Sequence, residues 1–513
     1  MIAQSIRALR GKLFNKFLNG VEKVGNALPH PATLFGLFAV IILICSAVAA
    51  ALDWSAVHPG TGDIIEPVNL LSRNGVHRIL TDMVVNFTSF APLGIVMVAM
   101  LGIGIAESSG LIGAVIRLIV MSSPRKLLTF VLVLAGILSN VASDVGYVLL
   151  IPLAGIIFLA VGRHPVIGMA AAFAGVSGGF SANLVLGTID PLLAGLSEEA
   201  ARIIDPGYLV NPTANYYFMV ASTVVIAFTG TWVTERFIAP RFGKYEGKET
   251  AEEMQNPSSL EKKGLRNAGI VALGIIAITL VGILPENGFF RGEDGGILSS
   301  PLIKGVVAML FISASLMGIA YGITIKIYKS DADVMNGMGD SMKSLAIYYV
   351  LVFFAAQFVA YFKWSNLGII FAIKGANFVM ATGLGLIPLM ILFIILSGLI
   401  NLAMGSASAK WAIMAPVFIP MFMLLGYSPE LSQVVYRIGD SITNVISPMM
   451  SFFALIIAFI QKYEKKAGIG TVIATMLPYT FAFFLVWTAL LIVWLLLGLP
   501  LGPGAGIYYT LPG

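Results

Sequence analysis

SASAKWAIMAPVFIPMFMLLGYSPELSQVVYRIGDS, residues 406–441, is mostly apolar, yet it carries Lys410, Trp411, Arg437 and Asp440. Glycine, serine and proline interrupt it where a membrane helix should run unbroken. Broken backbone and buried charge both cost free energy in a bilayer. They persist where they line a cavity or bind something. The stretch therefore reads as half of a transporter's substrate and ion site, and an earlier copy of the same design should supply the other half.

The whole chain supports a membrane setting. Its 513 residues are 58% hydrophobic and 11% charged, with mean hydropathy +0.92, against about 25% charged residues in soluble domains. The expected fold is an all-α polytopic membrane protein in contact with the lipid bilayer. The net charge of +5 resides in loops and is no footprint for nucleic acid. The single cysteine, Cys45, excludes an internal disulfide framework and reads as a small buried hydrophobe in an apolar run. The four histidines show no metal-ligand spacing.

Apolar runs of about twenty residues mark spans. They fall near 31–52, 82–106, 166–185, 213–238, 267–284, 299–325, 343–363, 430–460 and 472–499, nine in all. Two further apolar regions, 127–161 and 384–424, are split by SNVASDVG and NLAMGSASAK and read as re-entrant hairpins. The shorter runs 111–121 and 366–378 read as interfacial or half-length helices. With a cytoplasmic N-terminus, inside segments hold 22 of the 31 basic residues and outside segments hold 6. This asymmetry favours an inside N-terminus and an outside C-terminus in the plasma (inner) membrane.

The division that follows is a cytosolic segment 1–30, a first span and outer loop 31–81, and a first repeat 82–190. Scaffold spans 191–342 carry the cytosolic loop 239–266. A second repeat 343–460 and a final span with an outer tail 461–513 complete the chain. The repeat is legible in the letters. At a shift of 264 residues Pro152 meets Pro416, Gly162 meets Gly426, Pro165 meets Pro429, Gly175 meets Gly439 and Ser177 meets Ser441. A small gap brings Asn140 over Asn401, and SSGL at 108–111 lies over WSNL at 364–367. One copy begins with an outside-to-inside span and the other with the reverse, which makes the repeat inverted and brings the two hairpin tips together near the midplane.

Unwound tips at 139–143 and 401–408 offer carbonyls and amide groups to a cation or a carboxylate; the plainer reading is tight helix packing. Arg437 and Asp440, spaced i,i+3, share a helix face. They read either as a structural ion pair or as a guanidinium fork for an anionic substrate with an acidic partner. Ser408 and Trp411 are placed on the substrate side, the indole offering a stacking surface or else core packing. Ser441 and Asn444 extend the Asp440 face, Asn444 as a further candidate for cation or proton coupling. Asp190, with Asn183 seven residues before it, reads as a cation or proton site or as a helix cap. Asn140 and Asn401 join it as coupling residues and candidate Na⁺ ligands. Asp144 and Lys410, beside the breaks, read as caps or interfacial anchors.

GRHPVIGMAAAFAGVSGGFSANLVLGTIDPLLAG, INLAMGSASAKWAIMAPVFIPM and YRIGDSITNVISPMMSFF resemble the AbgT family, the p-aminobenzoyl-glutamate transporters, and its MtrF-type members associated with sulfonamide export look especially close. The resemblance runs from LPHPATLF at 28–35 to GLPLGPG at 498–504. It implies a homodimer of protomers with nine spans and two opposed hairpins. It also implies Asp190, Ser408, Trp411, Pro429, Arg437 and Asp440 as cavity residues, and a cation at Asn401 and Asp190. The expected function is secondary transport of small aromatic anions such as p-aminobenzoyl-glutamate, or export of sulfonamide antimetabolites, with no cofactor and with H⁺ or Na⁺ as the coupling ion. No phosphate-binding GxxxxGK[ST] loop points to ATP. The competing readings are an intramembrane aspartyl protease using Asp190 and Asp440, disfavoured by RIGD lacking the first glycine of GxGD, and an ion channel, which leaves the paired hairpins unexplained.

Overall fold

The computed structural model describes residues 29–57, 62–141, 146–243, 245, 258–297 and 300–511. Most of the predicted cytosolic lead-in, the tip residue Asp144 and the centre of the 239–266 loop lie outside these. The described chain is helical apart from a two-stranded ribbon at Ala56–Val57 and Ile64–Ile65.

Among the described residues, nine helical segments are long and apolar enough to cross a membrane. They are not the nine expected. Two are the legs of the second hairpin, Leu386–Ala403 and Ala407–Leu424. Conversely, the expected spans 166–185 and 430–460 are both broken. Pro165–Phe173 continues through the wide π-type turn Ala174–Gly178 and then unwinds. Pro429–Asn444 stops, and helix resumes only at Phe453–Gln461. The causes are local: consecutive Gly178 and Gly179 release the first, and Pro448 cannot extend the second. The loop side also differs: the Ser259–Ile283 helix starts earlier than expected, at a capping box in which Ser258 and Glu261 bond each other's backbone amides. Cys45 is exposed on the outward apolar face of Pro31–Ala51 and is not buried.

The hairpins fall where expected. Hairpin one pairs Leu128–Ser139 with Ile151–Ala160, and hairpin two pairs Leu386–Ala403 with Ala407–Leu424. The first is entered through a 112° bend after Leu111–Met121. Sidedness follows from contacts at their open ends. Beside hairpin one, Arg163 pairs with Glu235 at 2.9 Å and His164 Nε2 lies 3.2 Å from Glu464. Burial holds this imidazole below its ordinary pKa, with Glu464 working against the shift. Beside hairpin two, Ser428 N donates to Ile507 O and Tyr509 N to Gly426 O, both at 2.9 Å. The helix Ile469–Leu496 separates Glu464 from Ile507, and its 28 residues are about 42 Å long. The two hairpins therefore enter from opposite faces.

Local geometry repeats with the sequence. Gly110 and Asn366 are both left-handed, at φ 81° and 59°, and each starts a helix. Ahead of each sits a serine whose Oγ takes the amide N–H two residues on: Leu111 to Ser109 and Leu367 to Ser365. Gly162 and Gly426 close the two hairpins at φ 75° and 84°. Burial then sorts the helices. Only 11% of the Ser259–Ile283 window is buried, against 72% for Ala407–Leu424. The former packs on Val306–Thr324, which packs on Ala91–Ser108; this is a lipid-facing layer around a core made of the hairpins and broken helices.

Candidate functional site

The tips of both hairpins face a single cavity of about 340 Å³. Its wall includes Asn140 and Tyr147 from the first repeat, Gly405, Ser406, Ser408, Asn444 and Phe452 from the second, and Tyr348. Ser406 caps the Ala407–Leu424 helix by accepting Ala409 N at 3.3 Å, which leaves the first-turn amides at the cavity edge. Tyr147 and Phe452 stack with centroids 4.7 Å apart and planes 10° from parallel. One ring follows the first hairpin break and the other follows the Pro448 break.

Behind the tips the two repeats are built alike. Asn140 Nδ2 donates to Val176 O at 3.0 Å, and Asn401 Nδ2 to Asp440 O at 2.8 Å. Val176 and Asp440 are themselves related by the 264-residue shift. Gly136 makes the first crossing close: a Cβ there would lie 2.8 Å from Val176 N. An asparagine tying each hairpin to the unwound helix behind it is thus a structural repeat as well as a sequence one. Residues 16–509 match the AbgT transporter family throughout. The chain belongs to that family.

The AbgT-family relatives agree over nearly full length. The p-aminobenzoyl-glutamate transport protein of Escherichia coli (strain K12) is 38% identical over 490 residues, covering 95% of this chain and 96% of its own. MtrF of Neisseria gonorrhoeae, described among a class of antimetabolite efflux pumps, superposes with a TM-score of 0.90 at 50% identity, covering 95% of this chain and all of that one. The YdaH transporter of Alcanivorax borkumensis gives 0.89 at 45% identity, covering 93% and all of that chain. The protein is therefore a multi-pass membrane transporter of the AbgT family and not an enzyme.

Within this AbgT-family site the ion pairing differs from the i,i+3 expectation. Arg437 Nη2 donates to Asp190 Oδ1 at 2.6 Å, and Asp190 Oδ2 accepts Gly187 N at 2.7 Å. Asp440 pairs instead with Lys410, whose Nζ also donates to Asn401 Oδ1. All four charged side chains are buried. Lys410 is thus neither a cap nor an interfacial anchor. The two aspartates each neutralise a separate cation, so they do not form a shared-proton dyad. Arg437 bridges the repeats, since Asp190 begins the Ile189–Ala201 helix after the first repeat's break. Its Nε and Nη1 are buried without hydrogen-bond partners among the described residues.

Three other expected residues are placed differently. Trp411 does not line the cavity: it is buried, stacks on Tyr436 at 4.4 Å, and donates Nε1–H to Ser197 Oγ at 2.9 Å. Pro429 is buried at the first turn of its helix, where Ser428 caps Leu431. Asn183 does not join Asp190. Its Oδ1 closes a turn on Leu184 N and its Nδ2 donates to Ile137 O. Ser408 does line the cavity, with Oγ 3.4 Å from Ser406 Oγ. Ser441 Oγ accepts Ser181 N at 3.1 Å and so links the Pro429–Asn444 helix to the unwound segment after Gly178.

Sequence reasoning missed a polar chain through the core. Trp411 donates to Ser197, Ser197 to Gln433 Oε1 at 2.6 Å, Gln433 Nε2 to Asn215 Oδ1 at 2.7 Å, and Asn215 Nδ2 to Glu430 O at 3.0 Å. Tyr208 Oη caps it by donating to the Glu430 carboxylate at 2.9 Å. Ser197 and Gln433 carry no motif; only Glu430, a carboxylate in an apolar region, was visible. Tyr147 and Phe452 had a signal, since each is an aromatic set just after a helix break.

Proposed function

We propose that this AbgT-family transporter is a secondary carrier of small aromatic anions, p-aminobenzoyl-glutamate and sulfonamide antimetabolites among them, driven by a proton or sodium gradient. The observation that carries the reading is the cavity between the hairpin tips, with its paired rings and an uncharged wall that sets hydroxyls and amides among apolar side chains. Its volume lies in the range of small-molecule sites, roughly 300–1,000 Å³. The parallel Tyr147 and Phe452 rings suit a benzoyl group. The first-turn amides of Ala407–Leu424, at the positive end of a helix dipole, suit a carboxylate.

The hairpins and broken helices form the moving core, and the lipid-facing helices form the scaffold. The core rocks against the scaffold and opens the tips to each face in turn. The carrier works as a homodimer in the plasma (inner) membrane, with the N-terminus cytoplasmic and the C-terminus outside, as the basic-residue asymmetry supports. The free coupling cation is placed at the first tip. There Asn140 Oδ1 is buried and without a hydrogen-bond partner among the described residues. Asp190 is linked to the same tip through Gly187, which packs on the Asn140 backbone.

The test is flux of radiolabelled p-aminobenzoyl-glutamate and of a sulfonamide in proteoliposomes, with pH and Na⁺ gradients imposed separately. Saturable flux that follows one of the gradients is expected. Tyr147→Leu should raise KM about five-fold for both solutes, roughly 1 kcal/mol of ring stacking. Absence of gradient-driven flux of either solute by the wild-type protein would sink the proposal.

A further inference from the structure

The second repeat contains a cation of its own. Lys410 is completely buried, and its ammonium donates to Asn401 Oδ1 and Asp440 Oδ1. Asn401 is held in turn through Nδ2 by Asn444 Oδ1 at 2.7 Å and Thr443 Oγ1 at 2.9 Å. Asn444 also reaches Asp440 Oδ2 at 3.4 Å and forms part of the cavity wall. The ammonium therefore sits one residue layer behind the cavity, among carboxylate and carboxamide oxygens.

Among the described residues, the first repeat presents the same frame without a tethered cation. Asn140 makes the bond to Val176 O that Asn401 makes to Asp440 O. Its Oδ1 corresponds to the oxygen held by Lys410, and it is the buried acceptor that has no hydrogen-bond partner among the described residues. At a shift of 264, Gly146 stands where the second repeat has Lys410, and Val176 where it has Asp440.

We propose that the Lys410 ammonium is a built-in cation. It occupies, in the second repeat, the place that Asn140 Oδ1 offers to a free cation in the first. Oxygen ligands of this kind suit a hard monovalent ion as well as an ammonium, and a buried Asp440 needs a positive neighbour in either case. Filling the site covalently removes one exchangeable cation from the pair, so only the first-repeat site remains open to Na⁺. This deepens the gradient-driven carrier reading and rests on it for its meaning. The rival is an ordinary structural ion pair, and the two differ in what enters once the ammonium is gone.

The experiment uses purified full-length protein in detergent. ²²Na⁺ binding is counted per chain, and thermal unfolding is followed in NaCl and in choline chloride at equal ionic strength. Lys410→Ala should bind one Na⁺ more than wild type and be stabilised by NaCl over choline by a larger shift. Adding Asp440→Asn to Lys410→Ala should abolish the extra ion. Lys410→Gln, which removes the charge and keeps much of the side-chain volume, is the second variant and should behave in the same direction. Equal Na⁺ stoichiometry in wild type and both variants overturns the proposal. So does aggregation of both variants in NaCl as well as in choline, because a cation site should be refilled by the free ion. Extra Na⁺ binding without solute flux would remove the carrier reading and leave this one, while normal flux without extra Na⁺ would do the reverse.

Discussion

Arg437 holds Asp190 across the boundary between the repeats, and the pair is almost completely enclosed. Removing one partner of such a pair leaves a bare buried charge and costs about 3–5 kcal/mol, whereas removing both costs far less. Arg437→Ala should therefore destabilise the folded protein by about that amount. Arg437→Ala with Asp190→Ala should recover most of the loss in denaturant unfolding, and neither should transport. Equal destabilisation by the single and double variants would count against the pairing. At this scale the sequence marked the buried polar groups better than what they touch. Arg437, Asp440, Asp190 and Asn401 stood out as costly groups in an apolar chain, and all are buried. Pairing was not legible, because the i,i+3 rule sees one helix while Asp190 arrives from a helix 247 positions away. Trp411 was misplaced for a similar reason: nothing in its position says whether an indole faces a cavity or, as here, Tyr436.

The elements that matter most are those that fail to be regular. Hairpin tips, the π-type turn at Ala174–Gly178 and the break after Asn444 concentrate the polar backbone around the cavity. Both hairpins were legible because polar and glycine-rich residues, SNVASDVG and NLAMGSASAK, split an apolar region near its middle. The broken helices were not, since their total apolar length equals that of a continuous span and only Gly178–Gly179 and Pro448 betray the break. The small residues between each hairpin and the helix behind it set the approach. A Cβ on Gly439 would meet Ile394 O and lie 3.1 Å from Gly398 N. Gly439→Ala should force the hairpin-two leg outward, costing roughly 1–3 kcal/mol and lowering transport with the protein still folded. Thermal unfolding and flux measured together check this, and unchanged values in both would refute the close approach.

Across the whole molecule, two repeats of one design differ in the charge they carry beside the tips. Their shared skeleton is visible in Gly110 and Asn366, in Gly162 and Gly426, and in the two asparagine ties. They differ in that Lys410, Arg437 and Asp440 all lie in the second repeat, while the first keeps an Asn140 oxygen that has no hydrogen-bond partner among the described residues. The hairpins enter from opposite faces and meet at one cavity, which is the arrangement an alternating-access carrier needs. The central claim is that this cavity holds the substrate. Because Cys45 is the only cysteine, Cys45→Ala provides a clean background for Ser408→Cys on the cavity wall. The measurement is the rate of maleimide labelling at position 408 with and without saturating p-aminobenzoyl-glutamate. This solute should slow labelling at least several-fold, and an aliphatic dicarboxylate should not. Labelling that is unchanged under conditions of saturated flux would contradict it.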